Sequence, residues 1–256
     1  MTIVRWLAGA ICLISLWVWM QLPDGRVRMV FCDVGQGDAA LITLGYFQAL
    51  IDTGNEEEKL LICLSEHVPF WDKKIDVVFI SHGDSDHVGA LGSLQSHYSI
   101  GRLIEKAGEK DIVRYRDLHF EILSGRENEG GDISGSVCDD NDCSMVLRMV
   151  YKKVSGLFVG DITIMEELAL LGKGVIKRGD ILKVAHHGSK FGSSLSFLEA
   201  MKPSLAVISV GAKNTYGHPS SDTLMRLDAV GAKTVRTDEV GSVVVVTDGE
   251  KMWMKK

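Results

Sequence analysis

The stretch Ser81-His82-Gly83-Asp84-Ser85-Asp86-His87 follows the apolar run Ile75-Ile80, which is typical of a buried strand. Two imidazoles and two carboxylates therefore stand close together in the loop that leaves this strand. Such a group avoids buried, unpaired charge if a cation binds among its members. The alternative is a polar loop in which Asp86 caps the next helix, but capping explains only one of these side chains. The loop predicts a metal site.

Polar motifs also follow other predicted strands. They are Ile51-Asp52-Thr53-Gly54, Gly160-Asp161 and His186-His187-Gly188-Ser189. Taken singly, each has an ordinary structural explanation, with Asp52 in a turn, Asp161 as a helix cap and His186 as a core histidine. Together with the 82–87 loop they indicate an active site, because active sites on sheet scaffolds are assembled from the same ends of several strands.

The chain has 256 residues, of which 46% are hydrophobic and 24% are charged, so it is neither disordered nor a multi-span membrane protein. Its five cysteines are too few and too scattered for a disulfide framework. Cys138 and Cys143 are close enough for a small loop disulfide, with two free thiols as the alternative. Residues 173–256 carry 13 basic and 8 acidic side chains, against 15 and 26 in residues 1–172. A basic second half favours an anionic substrate, although a solvated surface explains the same counts.

Residues 1–25 differ from the rest of the chain. Trp6-Leu22 has no charged residue and would be about 26 Å long as a helix, close to the roughly 30 Å of a bilayer core. This pattern predicts a single-pass membrane anchor, with residues 26–256 forming a domain on the extracytoplasmic side. A cleaved signal peptide and a buried core helix are the alternatives.

Strand and helix patterns alternate from residue 26 onward. Both halves of this region are rich in short apolar runs separated by glycine-containing turns, and each half also contains segments with helical spacing. The pattern predicts an α/β fold in which two sheets pack together between layers of helices.

The ordered motifs resemble the metallo-β-lactamase superfamily, and more narrowly the hydrolase domain of ComEC-type competence and DNA-uptake proteins. The residues that carry the resemblance, which covers about 27–250, are Asp33-Val34-Gly35-Gln36-Gly37-Asp38-Ala39, Ile51-Asp52-Thr53-Gly54, His82-Gly83-Asp84-Ser85-Asp86-His87, Gly160-Asp161, Val184-Ala185-His186-His187-Gly188-Ser189, the 209–219 segment and the 236–243 segment. The resemblance implies a four-layer αββα sandwich and a metal-dependent hydrolase.

The resemblance also implies a ligand set for one or two divalent ions. The expected ligands are His82, Asp84, Asp86, His87, Asp161 and His186, with Asp161 shared between two positions. Asp84 stands where the superfamily generally has histidine, and oxygen ligands favour Mn²⁺ or Mg²⁺ as well as Zn²⁺. Asp38 and Asp52 are expected to orient the ligands by hydrogen bonding.

A divalent ion activates water for attack on phosphorus. Together with the basic second half, the resemblance to ComEC-type proteins implies a phosphodiesterase or nuclease acting on DNA, most simply single-stranded DNA. Asp86, Asp161 and His187 are the expected catalytic residues. The expected phosphate contacts are Ser189, Lys190, Lys213, Asn214 and His218, with Lys183 attracting the same backbone. A hydrolase of small esters, lactones or thioesters and a non-catalytic assembly subunit are the alternatives. ComEC-type proteins carry a many-helix channel, so a separate channel protein is an expected partner.

Overall fold

The computed structural model describes residues 2–20, 22–105, 111–125 and 144–255. The strands are β1 Val27–Phe31, β2 Ala40–Leu44, β3 Phe47–Ile51, β4 Lys74–Phe79, β5 Ser99–Ile104, β6 Ile112–Tyr115, β7 Leu118–Ser124, β8 Val146–Tyr151, β9 Val154–Phe158, β10 Ile181–Lys183, β11 Leu205–Ile208, β12 Lys233–Arg236, β13 Val243–Thr247 and β14 Met252–Lys255. The helices are α1 Thr2–Met20, α2 Glu57–His67, α3 Ser85–Val88, α4 Leu91–His97, α5 Ile164–Gly172, α6 Leu195–Met201, α7 Ser221–Ala229 and α8 Thr237–Val240. A 3₁₀ turn covers Ala185–Gly188.

Within the described residues the strands form two sheets of seven. The first sheet has the order β14-β13-β1-β2-β3-β4-β5, with parallel pairing only at β3-β4 and β4-β5. The second has the order β12-β11-β10-β9-β8-β7-β6, with parallel pairing from β9 to β12. Each sheet therefore has a parallel section whose strands end at a common edge.

The two sheets pack face to face over one apolar core. The Phe31 ring lies 5.8 Å from that of Phe158, and the Phe79 ring lies 5.2 Å from that of Phe120, so both contacts join the first sheet to the second. The outer face of the first sheet packs against α2 and α4, and that of the second sheet against α5, α6 and α7. The predicted four-layer αββα sandwich is confirmed.

The amino-terminal helix does not match its predicted role. Helix α1 begins at Thr2 and ends at Met20, so its uncharged part is shorter than the roughly 20 residues that a membrane span requires. Among the residues that the structure describes, no helix combines the length and the apolar character needed to cross a bilayer. The prediction of a single-pass anchor with an extracytoplasmic domain is therefore wrong.

A disulfide joins Cys32, directly after β1, to Cys63 in α2. This pair was not predicted, because the two cysteines are 31 residues apart and only the fold brings them together. The bond fixes the start of the 33–39 loop to the helix layer. The Cys138–Cys143 pair lies outside the described residues.

We expect the double variant Cys32→Ala/Cys63→Ala to lose roughly 2–4 kcal/mol of unfolding free energy, because the bond closes a long loop in the unfolded chain. Urea denaturation without reductant measures the loss. Cys12→Ala removes an exposed, unpaired thiol and serves as the control. Equal unfolding midpoints for the double variant and the wild type would contradict the expectation.

Candidate metal centre

The predicted site residues meet at one edge of the sandwich, where strands of both sheets end. Asp52 follows β3, and the 81–87 loop follows β4 in the first sheet. Asp161 follows β9, and the 186–189 segment follows β10 in the second sheet. The centre therefore lies between the two halves of the fold, and each half supplies part of it.

Asp52 orients the 81–87 loop. Its backbone has a φ of 58°, and its carboxylate accepts hydrogen bonds from the Ser81 backbone N–H at 2.7 Å and the Ser81 hydroxyl at 2.8 Å. The same carboxylate lies 2.9 Å from Nδ1 of His87. Because Nδ1 of His87 bonds to Asp52, the opposite ring nitrogen, Nε2, points toward Asp161.

Asp86, His87, Asp161 and His187 form a cluster in which one ligand atom from each lies within 4.8 Å of all the others. Asp38, Asp52 and His87 form a second group that meets the same distance limit. The distance is 3.2 Å from Nε2 of His87 to Oδ1 of Asp161 and 3.4 Å from Nε2 of His187 to Oδ2 of Asp161. Nε2 of His187 also lies 3.2 Å from Oδ2 of Asp86. Sequence reasoning gave His187 a catalytic role, and the geometry also places it among the ligand candidates.

The other three predicted ligands lie at the border of this cluster. The His82 ring centre is 4.0 Å from that of His87, and its Nε2 is 3.5 Å from Oδ2 of Asp84. Asp84 occupies the cap position of α3 but makes no side-chain capping bond. His186 is partly exposed, with Nε2 at 3.7 Å from Oδ2 of Asp161.

Several buried polar atoms in the cluster fit a cation. Among the described residues, Nε2 of His82, Nε2 of His87 and Oδ1 of Asp161 are buried without a hydrogen-bond partner. Buried polar groups ordinarily find such a partner, so these three atoms require an explanation. Imidazole nitrogens and a carboxylate are ordinary ligands of divalent metals, and the residues present fit such an ion.

The backbone supports this arrangement at two points. His186 and His187 have φ values of 49° and 52°, a left-handed conformation that is costly for residues other than glycine and that often marks functional sites. Gly37 lies so close to the 82–87 loop that a Cβ atom there would collide with the carbonyl oxygen of Asp86. The Asp38 N–H donates to that same carbonyl at 3.0 Å.

Asp38 and Lys183 form a buried ion pair beneath the centre. Lys183 also donates to the backbone oxygen of Val184 at 2.8 Å, and Oδ1 of Asp38 lies 3.3 Å from Nδ1 of His187. The expectation that Lys183 attracts a substrate backbone is wrong, because its side chain is only 3% exposed and is paired inside the fold. The structure instead places Lys183 against Asp38, the residue predicted to orient a ligand.

The carboxylates hold protons on two histidines. Burial alone would lower the pKa of His87, but Asp161 and Asp52 outweigh it and raise that pKa to about 10. Burial likewise opposes the charge on His187, and Asp161 and Asp38 raise its pKa well above the ordinary value. The pKa of Asp161 lies well below its ordinary value, because the two imidazoliums outweigh its burial.

Metal binding near neutral pH is therefore expected to release about one proton or more per ion, because a ligating imidazole must be neutral. The apparent affinity for the metal ion should therefore rise with pH until the pKa of His87, about 10, is passed. Calorimetric titration with Mn²⁺ in two buffers of different ionisation enthalpy measures the release. The exposed His97→Gln variant should release the same number of protons. A titration without proton release would contradict the expected protonation of His87 and His187.

The predicted phosphate contacts have different surroundings. Ser189 is buried, and its hydroxyl accepts from the Phe191 N–H at 3.3 Å. Both amide hydrogens of Asn214 are used within its own loop, at 2.8 Å to the Gly211 oxygen and 2.9 Å to the His218 oxygen. Asn214 therefore holds this loop in shape and has no amide hydrogen left for a phosphate.

His218 and the two lysines are closer to solvent. The His218 ring lies 5.7 Å from that of His186, and burial followed by the neighbouring His186 lowers its pKa. Lys190 and Lys213 are exposed. Of the predicted phosphate contacts, Lys190 and Lys213 are the two exposed ones.

An αββα sandwich with buried histidines and carboxylates at the shared edge of its sheets is the architecture of a metal-dependent hydrolase. The chain belongs to the metallo-beta-lactamase superfamily, whose family model matches residues 32–212.

Three of the curated relatives are competence proteins of the ComEC type. The chain is 28% identical to ComE operon protein 3 of Bacillus subtilis over 92% of its own length, and 30% identical to Competence protein ComA of Neisseria gonorrhoeae over 87%. It is 27% identical to Recombination protein 2 of Haemophilus influenzae over 90%. These alignments cover only 35%, 32% and 30% of the relatives, so the chain spans about a third of their length.

Solved structures show the same fold at low identity. The metallo-beta-lactamase fold protein YhfI from Bacillus subtilis aligns with a TM-score of 0.59 and 12% identity, covering 87% of this chain and all of that one. A diphosphatase from the PhnP family aligns with a TM-score of 0.52 and 12% identity, covering 86% of this chain and 98% of that one. At this identity the likeness concerns the fold alone.

Proposed function

We propose that this protein is a metal-dependent phosphodiesterase that cleaves single-stranded DNA. The observation that carries the proposal is the convergence of Asp86, His87, Asp161 and His187 at an edge of the sandwich, with ligand atoms within 4.8 Å of one another. Competence proteins among the relatives support DNA as the substrate.

Within this proposal, Asp86, His87 and Asp161 hold a divalent ion together with His186 or His187, and His82 and Asp84 extend the set toward a second position shared through Asp161. Such an ion activates water and neutralises charge on a phosphoryl oxygen, and Mn²⁺, Zn²⁺ and Mg²⁺ all suit a mixed nitrogen and oxygen set. Asp52 fixes the ring of His87, and the Ser209 carbonyl oxygen, 2.9 Å from Nδ1, fixes the ring of His187, so the ligands need little rearrangement.

A cleft next to the 211–218 loop offers room for part of the substrate. It measures about 370 Å³ and lies between the 35–36 and 211–214 segments, with Lys59 and Lys213 among its lining residues. The two segments are joined by a hydrogen bond of 3.2 Å from the Gly211 N–H to the side-chain oxygen of Gln36. Lys59 is paired with Glu56, which also lines the cleft, at 3.2 Å. Exposed Lys213 favours a ligand with a negative charge.

The relatives also suggest where the activity is used. We propose that the chain acts in DNA uptake together with a ComEC-type channel protein, because its curated relatives include competence proteins. Co-purification of this chain with a membrane channel protein would support the partnership. DNA uptake that depends on this chain in cells without a channel protein would argue against it.

The proposed activity is tested with the purified full chain, stripped with a chelator and reloaded with Mn²⁺, Zn²⁺ or Mg²⁺. We expect hydrolysis of single-stranded DNA that exceeds hydrolysis of duplex DNA, RNA and a β-lactam and that stops when chelator is added. The Asp86→Asn variant should lose about 10²-fold or more in kcat/KM, because Asp86 is a ligand candidate and a neighbour of His187.

The exposed carboxylate variant Asp111→Asn should retain wild-type rates. Turnover of a β-lactam, ester or thioester without cleavage of DNA would replace the phosphodiesterase proposal with the alternative hydrolase. No turnover by a fully metal-loaded protein would favour a non-catalytic role.

A further inference from the structure

Two aromatic side chains next to the metal centre are strongly exposed. Tyr216 is 70% exposed and Phe191 is 61% exposed. Scattered apolar residues on a surface are ordinary, but these two stand on the loops that carry the predicted phosphate contacts. Their position relative to the centre is therefore informative.

A series of rings joins Tyr216 to the centre. The Tyr216 ring stacks on His218 at a centroid distance of 5.8 Å and an angle of 25°, and His218 meets the edge of His186 at 5.7 Å. His186 in turn lies 3.7 Å from the Asp161 carboxylate. His218 supports one face of Tyr216, and the ring is otherwise largely open to solvent.

Phe191 is held in place by hydrogen bonds to two segments that adjoin the centre. Its carbonyl accepts a 2.8 Å hydrogen bond from the N–H of Ile164, three residues beyond Asp161, and its own N–H bonds to the hydroxyl of Ser189. The Lys190 ammonium lies 5.0 Å from the Phe191 ring centre. An exposed aromatic ring and a cation are thus paired on the loop that follows His187 in the chain.

The two loops are also fixed to each other. The Ser220 N–H donates to the Gly188 oxygen at 2.9 Å, and the Asn214 side chain spans the 211–218 loop. Exposed rings on braced loops lose little freedom on binding, which is the property of a stacking platform. Exposed Lys190 and Lys213 add positive charge to the same two loops.

We propose that Tyr216 and Phe191 are stacking platforms for unpaired nucleobases, with Lys190 and Lys213 holding the adjoining phosphates. The inference rests on the proposed function and names the residues that select its substrate. Stacking tolerates any base sequence but requires an unpaired base face, which a duplex does not offer. These residues would therefore produce a preference for single strands without a preference for sequence.

The test measures binding and cleavage separately. Binding is followed by fluorescence anisotropy with Mn²⁺-loaded full chain and two labelled phosphorothioate strands of equal length that resist cleavage, one an oligothymidylate and one abasic. The variants Tyr216→Ala and Phe191→Ala are paired with Tyr216→Phe and Phe191→Tyr, which keep an aromatic ring. Cleavage of an ordinary oligothymidylate is measured in parallel.

We expect each alanine variant to raise the Kd for oligothymidylate about tenfold, with less than about twofold change for the abasic strand. The two aromatic replacements should bind both strands like the wild type. Equal effects of Tyr216→Ala on both strands would reveal a structural role through His218 and overturn the inference, as would unchanged binding by both alanine variants.

Cleavage separates this inference from the proposed function. Base-dependent binding that needs both rings, with no cleavage of the ordinary strand, would sustain the platforms and reject the phosphodiesterase. Cleavage of the ordinary strand, with equal binding of the oligothymidylate and abasic strands, would support the phosphodiesterase and reject the stacking platforms. Failure to bind either strand would overturn the inference.

Discussion

Replacing Asp161 with asparagine is expected to abolish metal-dependent hydrolysis, with kcat/KM falling by about 10³-fold or more. The Asp161 carboxylate lies within 3.2 Å of His87, 3.4 Å of His187 and 3.7 Å of His186. Asparagine keeps the shape but removes the negative charge that the three imidazoles share. Loss of a central anionic ligand should also leave the purified variant with less bound metal by elemental analysis.

The matched control for Asp161→Asn is Glu199→Gln, which removes an exposed carboxylate from α6. This variant should keep wild-type metal content and rate. Circular dichroism checks that both variants are folded. If Asp161→Asn retained both metal and activity, the centre would not lie where the structure places these residues.

The second large effect is expected for Lys183→Met, at about 3–5 kcal/mol of unfolding free energy. Removing one partner of a buried ion pair leaves the other charge uncompensated in a dry environment. Burial disfavours the Asp38 carboxylate, and Lys183 followed by His187 outweighs that effect and keeps the pKa of Asp38 below its ordinary range. Urea denaturation in the presence of chelator measures the change without a contribution from metal.

A second substitution distinguishes loss of charge balance from loss of packing. Adding Asp38→Asn to Lys183→Met removes the stranded carboxylate, so the double variant should be more stable than the sum of the two single losses predicts. Rescue should be partial, because Asp38 also lies 3.3 Å from His187. A loss under about 1 kcal/mol for Lys183→Met would show that the buried pair contributes little.

The sequence was sufficient to predict the sandwich and the neighbourhood of the centre. Local patterns carry this information: the 82–87 loop follows a continuous apolar strand, and Asp161 and His186 follow two others. Once the strands are recognised, their ends must meet at a shared edge. The edge strand β5 and the hairpin β6–β7 were not predicted, because exposed residues such as Arg102 and Arg114 interrupt their apolar pattern.

Features that depend on distant residues could not be predicted. The Cys32–Cys63 bond and the Asp38–Lys183 pair each join segments that share no local pattern. Lys183 looked like a surface cation because sequence shows its charge but not its neighbour. The engagement of the Asn214 amide within its own loop was equally invisible, since it depends on the path of the 211–218 backbone.

The ligand candidates come from both sheets, with Asp86 and His87 following the first and Asp161 and His187 following the second. A cation bound among them would cross-link the two sheets, which otherwise pack together through aromatic and aliphatic contacts. Such a centre is complete only when the two sheets are packed together, because each sheet supplies two of the four ligand candidates. The concentration of free metal would then contribute to the stability of the packing between the two sheets at this edge.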